Sequence, residues 1–379
     1  MIYLDNSATT KPNLDVLNSF YQVSENFFGN PSSIHALGAK VEQLQLRARE
    51  QISGLLQINP NEVVFTSGGT EGNNLAIKGI ALQHQKRGNH IITSSIEHPS
   101  VYETCKSLET LGFKVTYLPV NKQGLIKINE LEQAITDETI LISIMHVNNE
   151  MGAIQPISEI GKIVSKHPKI FFHVDAVQAL GKVPLHLENS GIDLCTLSGH
   201  KIHGLKGTGM VFVKNGTTLF PLFHGGNQEF NIRSGTENVA GNVSFSRALR
   251  LIKEQEQSKL QSLEQLHSTL YSGLENMDKV YINTPNKSAP HIMNVSVPGL
   301  KPETVIHALY EKGIIISTQS ACSSKQFEKS RVLSACGVSD ERATSGLRIS
   351  LSYETTKDEI HTFLRIFEQT ITQLKEVLE

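Results

Sequence analysis

Three short segments of this 379-residue chain hold side chains whose types and placing could do chemistry. Thr66-Ser67-Gly68-Gly69-Thr70-Glu71-Gly72 lies between an apolar run and a helix-like stretch. Glycines let backbone approach a ligand, and a helix N-terminus presents unpaired N–H groups at the positive end of its dipole, so this is a ready phosphate site. A plain turn capped by Thr70 would read the same way. His173-Val174-Asp175-Ala176-Val177-Gln178 closes an apolar strand. Its Asp175 stands at the C-terminal end of a buried parallel strand, where ligand crevices of α/β proteins form. A simple cap is the plainer role for such an Asp. Ser198-Gly199-His200-Lys201-Ile202-His203-Gly204 follows another strand. Lys201, if desolvated, would be a Schiff-base amine, although a lone loop lysine is more often solvated. In order, a phosphate turn, a strand-end acid and a strand-end amine are what a pyridoxal phosphate site requires: a cradle, an acid facing the pyridine nitrogen, and a lysine for the carbonyl carbon.

A fourth segment, Ser320-Ala321-Cys322-Ser323-Ser324, puts a thiol among small residues, with Lys325 and Arg331 nearby. Cations favour the thiolate, so Cys322 is a candidate nucleophile, against the commoner role of bystander. Cys105, Cys195 and Cys336 sit in apolar or helix-like surroundings and read as structural. No pair is spaced as CxxC, which excludes a zinc ribbon or thioredoxin motif, and no HExxH occurs; the 15 histidines leave a scattered His/Asp site open, but no metal is expected. GxxxxGK[ST] and GxSxG are also missing, which removes the main support for nucleotide or serine hydrolysis. Lys plus Arg number 35 and Asp plus Glu 37, a formal charge of −2, too balanced for a general nucleic-acid or membrane-surface binder. The start Met1-Ile2-Tyr3-Leu4-Asp5 has no secretory pattern and no run approaches a membrane span, so a cytoplasmic protein is expected.

These residues need a scaffold. Continuous apolar runs recur at 62–66, 90–93, 114–118, 139–145, 170–174, 194–197 and 209–213, with helix-like stretches at 70–86, 100–111, 129–135 and 157–165 between several of them. Short strands apolar on both faces, separated by helices, predict a mostly parallel sheet covered on both sides. The run at 209–213 reads as an edge strand entered from a turn. A long charged helix is expected after Gly241, including 246–274. The last hundred residues alternate strand-like 292–297, 314–317 and 347–351 with helix-like 301–311 and 356–378, which reads as a small α+β domain.

Taken together, these segments resemble the cysteine desulfurases, pyridoxal-phosphate enzymes of the class V aminotransferase family, in the long-loop NifS/IscS-like subgroup. The resemblance runs nearly end to end through Leu4–Thr10, Asn30–Ser33, Thr66–Asn74, Glu97-His98, His146–Glu150, Asp175–Gln178, Ser198–Gly204, Arg233–Thr236, Ser320–Ser324 and Arg348. It implies aminotransferase fold type I: a large α/β domain over 13–256, and a small α+β domain from 1–12 and 257–379 that carries a cysteine loop at about 319–333. It implies that Lys201 binds the cofactor covalently and moves the substrate Cα proton. Asp175 would pair with the pyridine nitrogen, and Gln178 and Asn149 with the ring oxygen. Gly69, Thr70, Ser198 and His200 would hold the phosphate, with Thr236 reaching the phosphate of the other subunit of a homodimer. His98 would stack on the ring as an acid/base candidate, Arg348 would clamp the substrate carboxylate, and Cys322 would take the sulfur of L-cysteine as a persulfide, leaving alanine. Cys322 and Arg348 enclose 25 residues, which fits the long-loop subgroup.

Housekeeping members of the family carry a C-terminal extension that docks the iron–sulfur scaffold, and this sequence stops at Glu379. The expectation is therefore a sulfur acceptor that is a tRNA-thiolating sulfurtransferase rather than an iron–sulfur scaffold, with tRNA held by the acceptor. The rivals are a selenocysteine lyase or another class V enzyme such as an aminotransferase, which would need no loop thiol, and a non-catalytic phosphate-ligand binder.

Overall fold

A computed structural model describes residues 1–188, 190–318 and 329–377. Its centre is a sheet of seven strands: β2 (Val63–Thr66), β3 (His90–Ser94), β4 (Lys114–Leu118), β5 (Thr139–Met145), β6 (Phe171–Asp175), β7 (Leu194–Ser198) and β8 (Gly209–Val213). The order across the sheet is β2-β8-β7-β6-β5-β3-β4, parallel except that β8 runs antiparallel to both neighbours. All seven residues of β5 are buried, as expected of a strand covered on both faces.

Strand β8 is not at an edge, contrary to the sequence-based expectation; β2 and β4 are. The reason is steric and local to Gly209. A Cβ there would lie 2.6 Å from the Leu197 carbonyl oxygen and 2.8 Å from Gly68 Cα. Glycine lets β8 slot between β2 and β7 beneath the turn that leads into α3 (Gly69–His84).

Helices α3, α4 (Pro99–Glu109), α5 (Ile128–Ala134) and α6 (Ile157–Val164) fall close to the predicted stretches. Two N-terminal helices that the hydrophobic pattern did not signal, α1 (Leu14–Asn26) and α2 (Ala36–Leu56), pack on the long α7 (Val239–Glu275). The C-terminal part holds an antiparallel sheet of β9 (Tyr281–Ile282), β10 (Ile292–Ser296) and β12 (Gly346–Ser350), in the order β12-β10-β9. The helices α8 (Pro302–Glu311), α9 (Arg331–Ala335), α10 (Asp340–Thr344) and α11 (Lys357–Glu376) belong to the same part. The N-terminal β1 (Ile2–Tyr3) pairs in parallel with β11 (Ile314–Ile315), tying the first residues to the last third of the chain. One apolar core runs from the large sheet into this region, from Leu4 through Val174 and Phe245 to Ile349 and Phe367. No helix among the described residues is long and apolar enough to cross a membrane.

Candidate active site

The parallel strands end on one cavity of about 180 Å³. Its walls include Gly69, Thr70, His98, Asn149, Asp175, Gln178, Ser198, His200, Lys201 and Arg348, every predicted site residue but two. Thr236 is exposed and outside it. Cys322 lies outside the described residues.

Asp175, Ser198, Thr70 and His98 arrive from a strand end or a helix start. Asp175 is the last residue of β6 and is buried. Its Oδ1 accepts from the Val177 N–H at 3.0 Å and its Oδ2 from Asn73 Nδ2 at 2.7 Å. Burial pushes the Asp175 carboxyl above the usual carboxylate range, against the pull of those two hydrogen bonds and of the Lys201 charge. Lys201 ends the short turn after β7, and its Nζ donates to the carbonyls of Ala8, at 2.7 Å, and Ser7. The N-terminal segment of the chain therefore forms one wall of the site.

A second chain of contacts leads from the acid to the histidine. Asn73 Nδ2 also donates to Ser100 Oγ at 2.8 Å, and Ser100 Oγ lies 2.7 Å from His98 Nδ1. His98 is the N-cap of α4, its Nδ1 accepting the Ser100 N–H at 3.1 Å. Burial, reinforced by the charges of Lys201, Arg331 and Arg348, drives the His98 pKa down to about 4. The ring is thus neutral near pH 7, and with Nδ1 accepting, its proton sits on Nε2. His200, 3.2 Å from Thr9 Oγ1, is likewise driven to about 4, by burial first and then by Lys201.

Arg348, in the middle of β12, is 1% exposed yet lines the cavity. Its Nη2 pairs with Asp5 Oδ1 at 3.1 Å and donates to Ser317 Oγ at 2.9 Å; its Nη1 donates to the Asn149 carbonyl at 3.0 Å. Among the described residues its buried Nε has no partner. Gln178 is held by the Ser7 carbonyl at 3.0 Å. Asn73, Ser100, Asp5 and Ser317 thus orient the predicted residues without having been assigned that role by sequence. Asn73 and Asp5 lie inside segments already singled out, but nothing in their spacing showed whom they touch.

The cavity fits pyridoxal 5'-phosphate on grounds of its own. The first turn of α3 faces it, entered through Gly68 at φ +145, a conformation L side chains rarely adopt. A Cβ on Gly69 would meet Val177 Cγ2 at 3.0 Å, so only glycine leaves that space open without a shift. The buried Ser198 Oγ has no partner among the described residues and lines the same cavity. A phosphate at the helix start would satisfy that hydroxyl and the first-turn N–H groups together.

Comparison with known proteins gives the same direction. The family described as aminotransferase class-V matches residues 2–363. A curated relative, "Cysteine desulfurase IscS" of Dictyoglomus turgidum, is 41% identical over 378 residues, covering 99% of this chain and 96% of its own. A solved structure titled as a NifS-like protein superposes with a TM-score of 0.93 at 39% identity, covering 98% of this chain and 99% of that one. Another, "SspA in complex with cysteine", gives a TM-score of 0.83 at 36% identity, covering 94% of this chain and 100% of that one.

Proposed function

Because this chain belongs to the aminotransferase class-V family and is a pyridoxal-phosphate-dependent cysteine desulfurase, we propose that L-cysteine gives up its sulfur in the cavity shared by Asp175, Lys201 and Arg348. The observation that carries the residue assignment is the convergence on one cavity of an acid, an amine, a helix start with an unpartnered serine hydroxyl, and a guanidinium. The cofactor, when bound, supplies a carbonyl carbon that joins an amine and a ring that draws electrons from the bonds around that amine's α-carbon.

The chain's own residues do the rest. Ser198, His200, Thr70 and the backbone at Gly69 would hold the phosphate. The Asp175 carboxylate would favour a positive charge at the ring nitrogen, and Gln178 and Asn149 would hold the ring oxygen. Arg348 binds the substrate carboxylate, through donors that Asp5, Ser317 and the Asn149 carbonyl leave over. The Lys201 amine takes the substrate Cα proton and returns it. His98, neutral with its proton on Nε2, would lie beside the bound cofactor and be placed to give or take a proton at the substrate. The Cys322 thiolate attacks the substrate sulfur. The new S–S bond leaves a persulfide on Cys322, the C–S electron pair stays with carbon, and a proton completes alanine.

Residues 13–256 form the large domain in this reading, and 1–12 with 257–379 the small one, with α7 continuous across the join. A second copy of the chain covers the exposed Leu14, Leu17, Phe20 and Tyr21 of α1, an apolar face that a monomer would leave in water. In that homodimer the exposed Thr236 serves the partner's phosphate site. The three buried thiols, all unpaired, suit a reducing cytoplasm. The favoured acceptor is a sulfurtransferase that thiolates tRNA, over an iron–sulfur scaffold. The formal charge of −2 leaves any nucleic acid to that acceptor.

Lys201→Ala tests the core of this reading: the cofactor's visible absorbance with lysine and all alanine release should vanish. Retention of borohydride-trappable cofactor in that variant would sink it. For the acceptor, Cys322 carrying labelled sulfur is offered both proteins at equal concentration. Faster transfer to the iron–sulfur scaffold refutes the preference.

A further inference from the structure

Lys182 is an ammonium in the core. It is 2% exposed, and its Nζ donates to the Lys201 carbonyl at 2.8 Å, its one hydrogen-bond partner among the described residues. It belongs to the turn after β6 in which Ala179, Leu180 and Val183 are buried. The neighbouring Gly181 has φ +69, and its carbonyl accepts the Tyr353 hydroxyl at 2.7 Å. The turn is therefore pinned on one side by Tyr353 and grips the Lys201 turn on the other.

A buried lysine with three donors and one acceptor is costly, and an apolar side chain of equal length would fill the space without a charge. Burial alone lowers the Lys182 pKa to about 8, so the group is still charged near pH 7. What it holds explains its presence. Lys201 ends a three-residue turn whose Gly199 carbonyl accepts the Ile202 and Gly204 N–H groups and whose His200 carbonyl accepts from Thr10, while the Lys201 carbonyl takes its bond from Lys182. Fixing that carbonyl fixes the backbone from which the Lys201 side chain projects.

The charge also matters to the site. His200, His203 and His291 all have pKa values lowered in part by Lys182, after burial, and His200 and His291 are lowered by Lys201 too. His200 and His291 therefore feel both ammonium groups, together with Lys206 at His200 and His267 and Arg348 at His291, whereas of the two lysines only Lys182 acts on His203. On the Lys182 side stand His200 and His203 on the turn of Lys201, His291 before β10, and Tyr353 and Glu354 after β12, Glu354 drawing His203 the opposite way. On the Lys201 side stand Asp175, His98 and the carbonyls of Ser7 and Ala8.

We propose that Lys182 is a positioning residue for Lys201: it anchors the turn carrying the reactive amine and places a second positive charge behind that amine, which favours its uncharged, nucleophilic form. The proposal rests on Lys201 being the cofactor lysine. A cation beside a catalytic lysine is a known route to such activation.

The test compares wild type, Lys182→Met and Lys182→Arg. Full-length protein cleared of cofactor is treated with an amine-acylating reagent at a series of pH values, and labelling of Lys201 is read by peptide mass spectrometry. The Lys201 midpoint should rise by about one pH unit in Lys182→Met, about tenfold less labelling near neutral pH, and return toward wild type in Lys182→Arg. In the loaded enzyme, kcat should fall about tenfold in Lys182→Met with KM for L-cysteine kept. The melting temperature of Lys182→Met at pH 7 should stay near wild type, since loss of the buried charge offsets loss of the donor to the Lys201 carbonyl, which separates the fall in activity from unfolding. An unchanged midpoint and kcat in Lys182→Met overturn the proposal, as does a folded Lys182→Arg no closer to wild type than Lys182→Met. A shifted midpoint in protein whose cofactor proves to be bound elsewhere would sustain the coupling of the two lysines while sinking the reading it rests on.

Discussion

Replacing Asp175 by Asn separates charge from shape. Each carboxylate oxygen has one donor, Val177 N–H on Oδ1 and Asn73 Nδ2 on Oδ2. An amide has one oxygen, so its NH2 group would confront one of those donors. The structure supplies an escape: Asn73 Oδ1 is buried and has no partner among the described residues. By turning its amide over, Asn73 can present that oxygen to the introduced NH2 group, while the introduced oxygen keeps the Val177 N–H and the Ser100 hydroxyl gives up the Asn73 donor. The stability change should therefore stay within about 1 kcal/mol, one ordinary hydrogen bond. The functional change should be larger. A neutral amide in place of the charged partner of the ring nitrogen exchanges a hydrogen bond of about 1.5–3 kcal/mol for one of about 0.5–1.5, so cofactor affinity should drop roughly tenfold. The electrostatic support for charge developing on the ring goes as well, and loss of one such aligned group is worth about 10²–10³ in kcat. Absorbance titration gives the affinity, alanine release at saturating cofactor gives kcat, and thermal melting of the cofactor-free protein gives the stability. A variant that turns over within about threefold of wild type would refute the role given to Asp175. A large fall in the cofactor-free melting temperature would refute the argument from the Asn73 amide.

Cys322→Ser should bind cofactor and L-cysteine with unchanged absorbance yet release no alanine and carry no extra sulfur by mass spectrometry. Replacing Cys105, Cys195 or Cys336 should leave activity largely intact, because burial pushes the Cys105 and Cys336 thiols up to about 12 and the Cys195 thiol higher still. Burial raises the Glu97 pKa to about 8, against the pull of the Ser94 hydroxyl and the Met145 N–H. Its folded value therefore exceeds its unfolded one, and the stability it contributes, full below about pH 4.5, is lost as pH rises toward 8. Denaturation of wild type against Glu97→Gln from acid to mildly basic pH should show wild type losing ground across that window, and parallel curves would contradict it. Arg49 and Glu229 form a buried pair at 2.7 Å, with Arg49 between the rings of Phe65 and Phe230. Removing either charge alone should cost about 3–5 kcal/mol, and removing both toward apolar residues much less, read as coupling in a double-mutant cycle by chemical denaturation.

What the sequence yielded, and what it withheld, divides by the range of the forces involved. The sheet strands were legible because burial on both faces makes each a continuous apolar run, as in the fully buried Thr139–Met145. The order of those strands was not, because the place of Gly209–Val213 between its neighbours is set by a close approach to Leu197 and Gly68 that no local pattern announces. Helix α2 escaped because its buried face includes Gln45 and Arg49, polar residues whose side chains are satisfied by groups elsewhere in the chain. The turn at Glu229, Phe230 and Asn231 takes φ of 46, 58 and 62 with no glycine to advertise it; Glu229 is held there by Arg49 and by the Phe65 N–H. The same division runs through the active site. Asp175, Lys201 and the glycine turn were readable because each stands at the end of an element where such chemistry belongs. The groups that aim them were not, since Asn73 meets Asp175 across 102 positions and Asp5 meets Arg348 across 343. A reactive group can be recognised by its type and its place on an element, whereas the group that aims it is defined only by the contact, and that contact exists only once the chain has folded.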